Sequence, residues 1–179
     1  MAEHQKLDND IRIEREADGG WMLRATQVIP LPRTTLFPFF ADARNLAVIT
    51  PPAMGFRIHT AEPIVMREGT LIDYTVRVAG VPLRWRTLIT RWDPPTEFAD
   101  EQLRGPYALW RHRHHFTALD DQRTRMDDEV LFRLPLAPLG NIAVPFVKHE
   151  LRKIFRFRHA AIERAIADGS LAIASAPMR

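Results

Sequence analysis

Four strand-like segments in the second half of the chain constrain the fold more than any other feature. Each is rich in β-branched and aromatic residues, many of which alternate with polar ones, and short turns separate them. Antiparallel strands can be joined by such short turns, so the pattern predicts an antiparallel meander. The segments are Arg84–Trp92, Glu97–Leu103, Leu109–Leu119 and Thr124–Leu134.

Polar residues of this meander share one face with large apolar residues. Side chains two positions apart on a strand point to the same side of a sheet. A mostly apolar face with a few convergent polar groups is typical of a ligand cavity. In the last three strands that face collects Phe98, Asp100, Gln102, Trp110, His112, His114, Phe116, Met126, Asp128, Val130 and Phe132.

The turn positions predict which of these polar residues face each other. The turn after the second strand places Asp100 opposite His112, and a turn centred on Asp121 places His114 opposite Asp128. Both registers keep the same inward face, as a continuous sheet requires. The sequence therefore predicts two imidazole–carboxylate pairs, Asp100–His112 and His114–Asp128, on the concave face.

The inward face of the first strand of the meander is not determined by the sequence. Counting back from Trp92 opposite Phe98 favours Arg86 and Thr90 inside, where Arg86 would be a buried cation or would anchor a ligand carboxylate. An Arg86 on the surface is an equal alternative. Tyr74, in the preceding strand, is expected to face inward, where its hydroxyl needs a hydrogen-bond partner.

A long amphipathic helix, Ile142–Ala167, is expected to cover this sheet. Its apolar side chains recur every three or four residues and form one stripe, in which Phe155 is a core or cavity-wall residue. Two short helices, near Pro32–Phe37 and Ala41–Val48, precede the meander. The order of elements predicts one α+β domain.

Residues 10–168 are predicted to form this domain, with a disordered N-terminus at 1–9 and a flexible tail at 169–179. The N-terminus has no apolar run like that of a signal peptide, so we expect a cytoplasmic protein. The 179 residues include no cysteine, which excludes disulfides, thiol catalysis and thiolate metal sites. A net charge of +3 without a basic run gives little support for nucleic-acid binding.

Six stretches resemble a known superfamily: Asn45–Phe56 (NLAVITPPAMGF), Gly69–Tyr74 (GTLIDY), Leu83–Phe98 (LRWRTLITRWDPPTEF), Asp100–Phe116 (DEQLRGPYALWRHRHHF), Arg125–Pro135 (RMDDEVLFRLP) and Leu151–Arg158 (LRKIFRFR). Together with the order of elements they resemble the START-like superfamily, in particular a bacterial ligand-binding subgroup. The superfamily includes lipid-transfer domains and polyketide cyclases and dehydratases. The resemblance implies a helix-grip fold, in which a curved antiparallel sheet wraps around a long C-terminal helix and two short helices lie near the cavity entrance.

The favoured function is binding of a hydrophobic small molecule, such as a lipid, a quinone or a polyketide-like ring, in an internal cavity. One alternative is a cyclase or dehydratase in which His112 or His114 performs acid–base catalysis. Another is an interaction module that docks through its basic last helix. The residues expected to contact a ligand are Tyr74, Arg86, Thr90, Asp100, Gln102, Trp110, His112, His114, Phe116, Asp128, Val130 and Phe155.

Neither a metal nor a cofactor is predicted from the sequence. The spacing His112-x-His114 turns two imidazoles to one side of a strand, but a catalytic zinc takes three protein ligands. Asp100 or Asp128 would supply the third only by giving up its contact with a histidine. The expected partner is the hydrophobic ligand, with no nucleic acid and no obligate protein partner; transient membrane contact stays open.

Overall fold

The computed structural model describes residues 10–136 and 142–171; the predicted disordered segment 1–9 lies outside them. The described residues form eight strands, two α-helices and two 3-10 helices. The strands are β1 Asp10–Arg15, β2 Trp21–Ile29, β3 Arg57–Ile58, β4 Leu71–Val78, β5 Val81–Asp93, β6 Glu97–Arg104, β7 Leu109–Ala118 and β8 Thr124–Arg133. The helices are α1 Arg33–Phe40 and α2 Val144–Ala167, and the 3-10 helices are Ala43–Ala47 and Pro52–Met54.

All eight strands belong to one antiparallel sheet, in the order β1-β2-β8-β7-β6-β5-β4-β3. From β3 to β8, strands that follow each other in sequence are neighbours in space, which confirms the predicted meander. Pairing of β2 with β8 adds the N-terminal hairpin to the far side of that meander. The α+β architecture is the predicted one, although three short helical segments precede the meander instead of two.

Strand β5 reverses its inward face at Thr90. Ile89, and not Thr90, lies opposite Asp100, because Thr90 is the extra residue of a β-bulge. A one-residue insertion turns every side chain before it to the opposite face. The prediction that Arg86 and Thr90 face inward is therefore wrong: both are exposed, and Arg86 Nε lies 2.8 Å from Asp73 Oδ1 on the outer face.

Helix α2 covers the concave face of the sheet with its apolar stripe. Leu151 and Phe155 pack in a buried cluster with residues of β2 and β8, and Ile162 packs in a second cluster with the phenylalanines of α1. The helix ends at Ala167, as predicted. None of the helices in the described ranges is both long and apolar enough to cross a membrane.

Beyond α2 the chain turns back toward the core. Gly169 has a φ of 75°, a conformation that glycine adopts without steric cost at the end of a helix. Leu171, which falls in the predicted tail 169–179, is fully buried in the same cluster as Ile162. Residues 172–179 of that tail lie outside the described residues.

Candidate functional site

A cavity of about 210 Å³ lies between the concave face of the sheet, α2 and the short helical segments. This volume is far larger than the ~10–15 Å³ that one water molecule needs. Its lining is mostly apolar and includes Phe40, Ile72, Trp85, Ile89, Trp110 and Phe155. The cavity lies on the face of the strands where the sequence pattern predicts convergent apolar and polar side chains.

Aromatic rings from neighbouring strands form one wall of the cavity. Tyr74 stacks on Trp85, with ring centroids 5.9 Å apart and planes 14° apart, and Trp85 meets Trp110 edge-on at 5.4 Å. Burial raises the pKa of Tyr74, whose hydroxyl oxygen lies 3.3 Å from Oγ1 of Thr87. The buried Nε1 of Trp85 has no hydrogen-bond partner among the described residues.

Two imidazoles and two carboxylates meet where β6, β7 and β8 border the cavity. Asp100 lies opposite His112 and His114 lies opposite Asp128, which confirms both predicted pairs. Asp100 Oδ1 is 3.9 Å from His112 Nδ1 and 3.9 Å from His114 Nε2. His112 Nε2 forms a 3.0 Å hydrogen bond with Asp128 Oδ1. His114 Nδ1 lies 2.6 Å from the same oxygen, but too obliquely for a good hydrogen bond.

Asp128 is buried behind the two imidazoles and remains charged. Burial alone would raise its pKa, but His114, His112 and the guanidinium of Arg158 hold the pKa of Asp128 well below its ordinary value. Arg158 Nη1 lies 3.6 Å from Asp128 Oδ1. An ionised carboxylate only accepts hydrogen bonds, so the imidazole nitrogens that face it carry the hydrogens. His112 Nδ1 and His114 Nε2 are then lone-pair acceptors on the other side of each ring.

Burial also sets the charge of the groups that face the cavity. It lowers the pKa of His112 to about 4, assisted by the neighbouring His114, and it lowers the pKa of His114 as well. Burial raises the pKa of Asp100 to about 6. At neutral pH the cavity therefore presents two uncharged imidazoles beside a carboxylate.

The structure brings half of the predicted ligand-contacting residues together around the cavity. Asp128 belongs to the same cluster, although it lies behind the imidazoles. The six that line the cavity are Tyr74, Asp100, Trp110, His112, His114 and Phe155.

The other predicted residues lie elsewhere. Gln102 Nε2 donates a 2.8 Å hydrogen bond to the carbonyl oxygen of Tyr107 and thereby holds the turn between β6 and β7. Phe116 and Val130 belong to the two buried core clusters and do not line the cavity. Arg86 and Thr90, which the bulge in β5 turns outward, lie on the outer face of the sheet.

Several residues of the site were not predicted from the sequence, among them Trp85, Thr87 and Arg158. Trp85 and Thr87 face inward because of the bulge, which no residue type in the strand indicates. The sequence pattern indicates a core position for Arg158, because this residue interrupts the apolar stripe of α2 at the spacing of its buried residues. Its side chain is 11% exposed and approaches Asp128 from the helix side.

Several solved structures share this fold at low sequence identity. The Zhui aromatase/cyclase from Streptomyces sp. R1128 has a TM-score of 0.66 and 19% identity, covering 81% of this chain and 94% of that chain. A START superfamily protein from Mycobacterium smegmatis has a TM-score of 0.63 and 13% identity, covering 82% and 99%. Norcoclaurine synthase from Thalictrum flavum, in complex with dopamine and hydroxybenzaldehyde, has a TM-score of 0.60 and 11% identity, covering 88% of each chain.

Neither a family model nor a curated protein matches the sequence. Identities this low establish the fold and leave the activity to be argued from the site. The chain has the helix-grip fold that the resemblance of its sequence motifs implies.

Proposed function

We propose that the chain binds a small, mostly apolar molecule that carries a hydroxyl group. The supporting observation is that one cavity combines an aromatic wall with the cluster of Asp100, His112 and His114. Ligand pockets commonly combine an apolar lining with a few polar groups that orient the ligand. Among lipids, quinones and polyketide-like rings, the proposal favours those that can donate a hydrogen bond.

The preference for a hydroxyl follows from which atoms the cluster presents. Asp128 accepts a hydrogen bond from His112 Nε2, and its charge lies 2.6 Å from His114 Nδ1 and favours a hydrogen on that nitrogen as well. His112 Nδ1 and His114 Nε2 are then acceptors, and the carboxylate of Asp100 is an acceptor too. A hydroxyl can donate a hydrogen bond to one of these acceptors, whereas a carbonyl oxygen has no hydrogen to donate to them.

Two structural neighbours are consistent with this ligand class. One is an aromatase/cyclase, and another was solved with dopamine and hydroxybenzaldehyde, which are small aromatic molecules with hydroxyl groups. The apolar wall would supply most of the affinity. Burying ~300 Å² of apolar ligand surface contributes about 7 kcal/mol at ~25 cal/mol/Å², before the costs of association.

Native mass spectrometry of freshly purified protein, followed by organic extraction, tests this proposal. We expect a single small-molecule adduct that organic solvent releases and that contains an aromatic or aliphatic skeleton with a hydroxyl group. The extracted compound should bind the ligand-free protein again at one equivalent. A protein that carries no adduct and binds no member of a panel of phenols, alcohols and quinones would contradict the proposal.

A further inference from the structure

Three potential metal ligands converge on the cavity from two neighbouring strands. Asp100 on β6 and His112 and His114 on β7 each offer one donor atom, and these atoms lie within 4.8 Å of one another. Their side chains are 15%, 6% and 6% exposed, so the donors are withdrawn from bulk solvent. Two histidines and one carboxylate on the same side of an ion form a recurrent site for divalent transition metals.

Asp128 provides the support that metal-bound imidazoles require. A histidine that binds a metal through one nitrogen usually donates its other N–H to a carboxylate or a carbonyl, which fixes the ring. Asp128 Oδ1 lies 3.0 Å from His112 Nε2 and 2.6 Å from His114 Nδ1. The remaining nitrogens, His112 Nδ1 and His114 Nε2, each lie 3.9 Å from Asp100 Oδ1.

Asp100 is free to act as the third ligand. Because Asp128 contacts both imidazoles, neither ring depends on Asp100 for its orientation. Within the described residues, the carboxylate of Asp100 forms no ion pair with a lysine or an arginine, and its Oδ1 lies 3.9 Å from one nitrogen of each histidine. The only guanidinium near the cluster in these residues, that of Arg158, lies beside Asp128. Two carboxylates thus face one guanidinium, and a cation would balance the excess negative charge.

The distances suit a metal ion after small side-chain rotations. A tetrahedral ion about 2.0–2.2 Å from each ligand sets neighbouring donor atoms about 3.3–3.6 Å apart. The two distances from Asp100 Oδ1, 3.9 Å each, exceed this spacing by roughly 0.3–0.6 Å. The imidazole rings of His112 and His114 are already adjacent, with centroids 3.8 Å apart.

We propose that Asp100, His112 and His114 bind a divalent transition metal ion such as Zn²⁺, with Asp128 as a positioning carboxylate behind both imidazoles. The three ligands occupy one side of the ion, and its remaining positions face the cavity, where water or a ligand oxygen can coordinate. The ion and a ligand hydroxyl would use the same two imidazole lone pairs, so a bound ion would replace the direct contact between hydroxyl and imidazole. The site is tested without any organic ligand, which keeps its failure distinguishable from failure of the proposed function.

Titration of untagged, chelator-treated, ligand-free full chain with Zn²⁺ by calorimetry and with Co²⁺ by visible absorption tests the site. We expect one ion per chain, competition between Zn²⁺ and Co²⁺, and Co²⁺ absorption bands typical of a site of low coordination number. Asp128→Asn should weaken binding by ~10–100-fold, as loss of a supporting carboxylate does. Asp100→Asn and His114→Gln, which remove ligands, should each weaken binding by more than that ~10–100-fold.

His115→Gln is the matched control, because His115 follows His114 on β7 but faces the opposite side of the sheet. It should bind Zn²⁺ as the wild type does. Failure of the wild type to bind one equivalent would overturn the proposal, and so would binding that survives both ligand substitutions or is lost in His115→Gln. Circular dichroism shows whether each variant folds. If a variant does not fold, the Zn²⁺ stoichiometry and the Co²⁺ spectrum of the wild type still test whether the site binds a metal ion.

Discussion

His112 and Asp128 form a buried hydrogen bond between Nε2 and Oδ1, which are 3.0 Å apart. They lie on adjacent strands but are not directly opposite, since Val130 occupies the position across from His112. The same carboxylate oxygen is 2.6 Å from His114 Nδ1. One aspartate therefore orients both imidazoles, and this makes their cavity-facing nitrogens acceptors.

Asp128→Asn should lower the free energy of unfolding by about 1–3 kcal/mol, measured by urea denaturation. The substitution removes the charge that faces Arg158 and places an amide N–H₂ where the cluster needs an acceptor. Asp127→Asn, on the same strand, is the control, because its carboxylate lies beside the exposed Arg125 and should contribute less than ~1 kcal/mol. Equal losses of unfolding free energy in the two variants would contradict a stabilising role of the buried Asp128 carboxylate.

Thr87→Phe should weaken ligand binding by at least ~10-fold, because the larger side chain occupies space in the cavity and raises the cost of packing a ligand. Thr87 lines the cavity, whereas Thr90 on the same strand is exposed, so Thr90→Phe adds the same side chain outside. Isothermal titration with the extracted compound compares the two variants. Stronger weakening by Thr90→Phe would mean that the bulge does not set the inward face of β5.

The sequence predicted the pairing of β6, β7 and β8 because tight turns determine which residues of two antiparallel strands are opposite. Asp100 opposite His112 follows from one turn position, and the structure confirms it. The bulge at Thr90 was not predictable, since threonine fits a regular strand equally well. The apolar stripe places Arg158 at the spacing of a core position, but it does not predict the direction of its side chain. An arginine in an apolar stripe can extend to solvent, and its inward turn depends on Asp128, which only the tertiary fold brings near.

Glu97→Gln should destabilise the chain at neutral pH, by about 1–3 kcal/mol, and much less in acid. Burial opposes ionisation of Glu97, but its hydrogen bond to Arg113 and the charge of Arg91 hold the pKa of this carboxyl below its ordinary value. A carboxyl whose pKa is lower in the folded than in the unfolded chain contributes stability above the unfolded value, and that stability is lost as pH falls through the folded value.

Urea denaturation of wild type and Glu97→Gln at several pH values measures this effect. The difference in unfolding free energy should be largest near pH 7 and shrink below about pH 4. Glu101 lies on β6, as Glu97 does, but is more exposed and pairs with Arg111 on β7. Glu101→Gln should therefore change the unfolding free energy less than Glu97→Gln near pH 7. A Glu97→Gln difference that does not change with pH would rule out this explanation.

Leu171→Ala should lower the free energy of unfolding by about 2–5 kcal/mol, because Leu171 is fully buried against the core. The control is Leu119→Ala, at a residue that is 43% exposed, where we expect a change within ~0.5 kcal/mol. Thermal or urea denaturation compares the two. A neutral Leu171→Ala would show that the chain after α2 is a loose tail from residue 169 onward.

The affinity difference between 2-naphthol and 2-methoxynaphthalene measures whether the cluster selects a hydroxyl group, because the two share a ring system and only the first donates a hydrogen bond. Calorimetry should find 2-naphthol bound about tenfold more tightly, which corresponds to ~1.4 kcal/mol. The preference should fall in His112→Gln/His114→Gln and disappear when Asp100→Asn is added. Equal affinities in the wild type, or a full preference in the triple variant, would show that the cluster does not select a hydroxyl group.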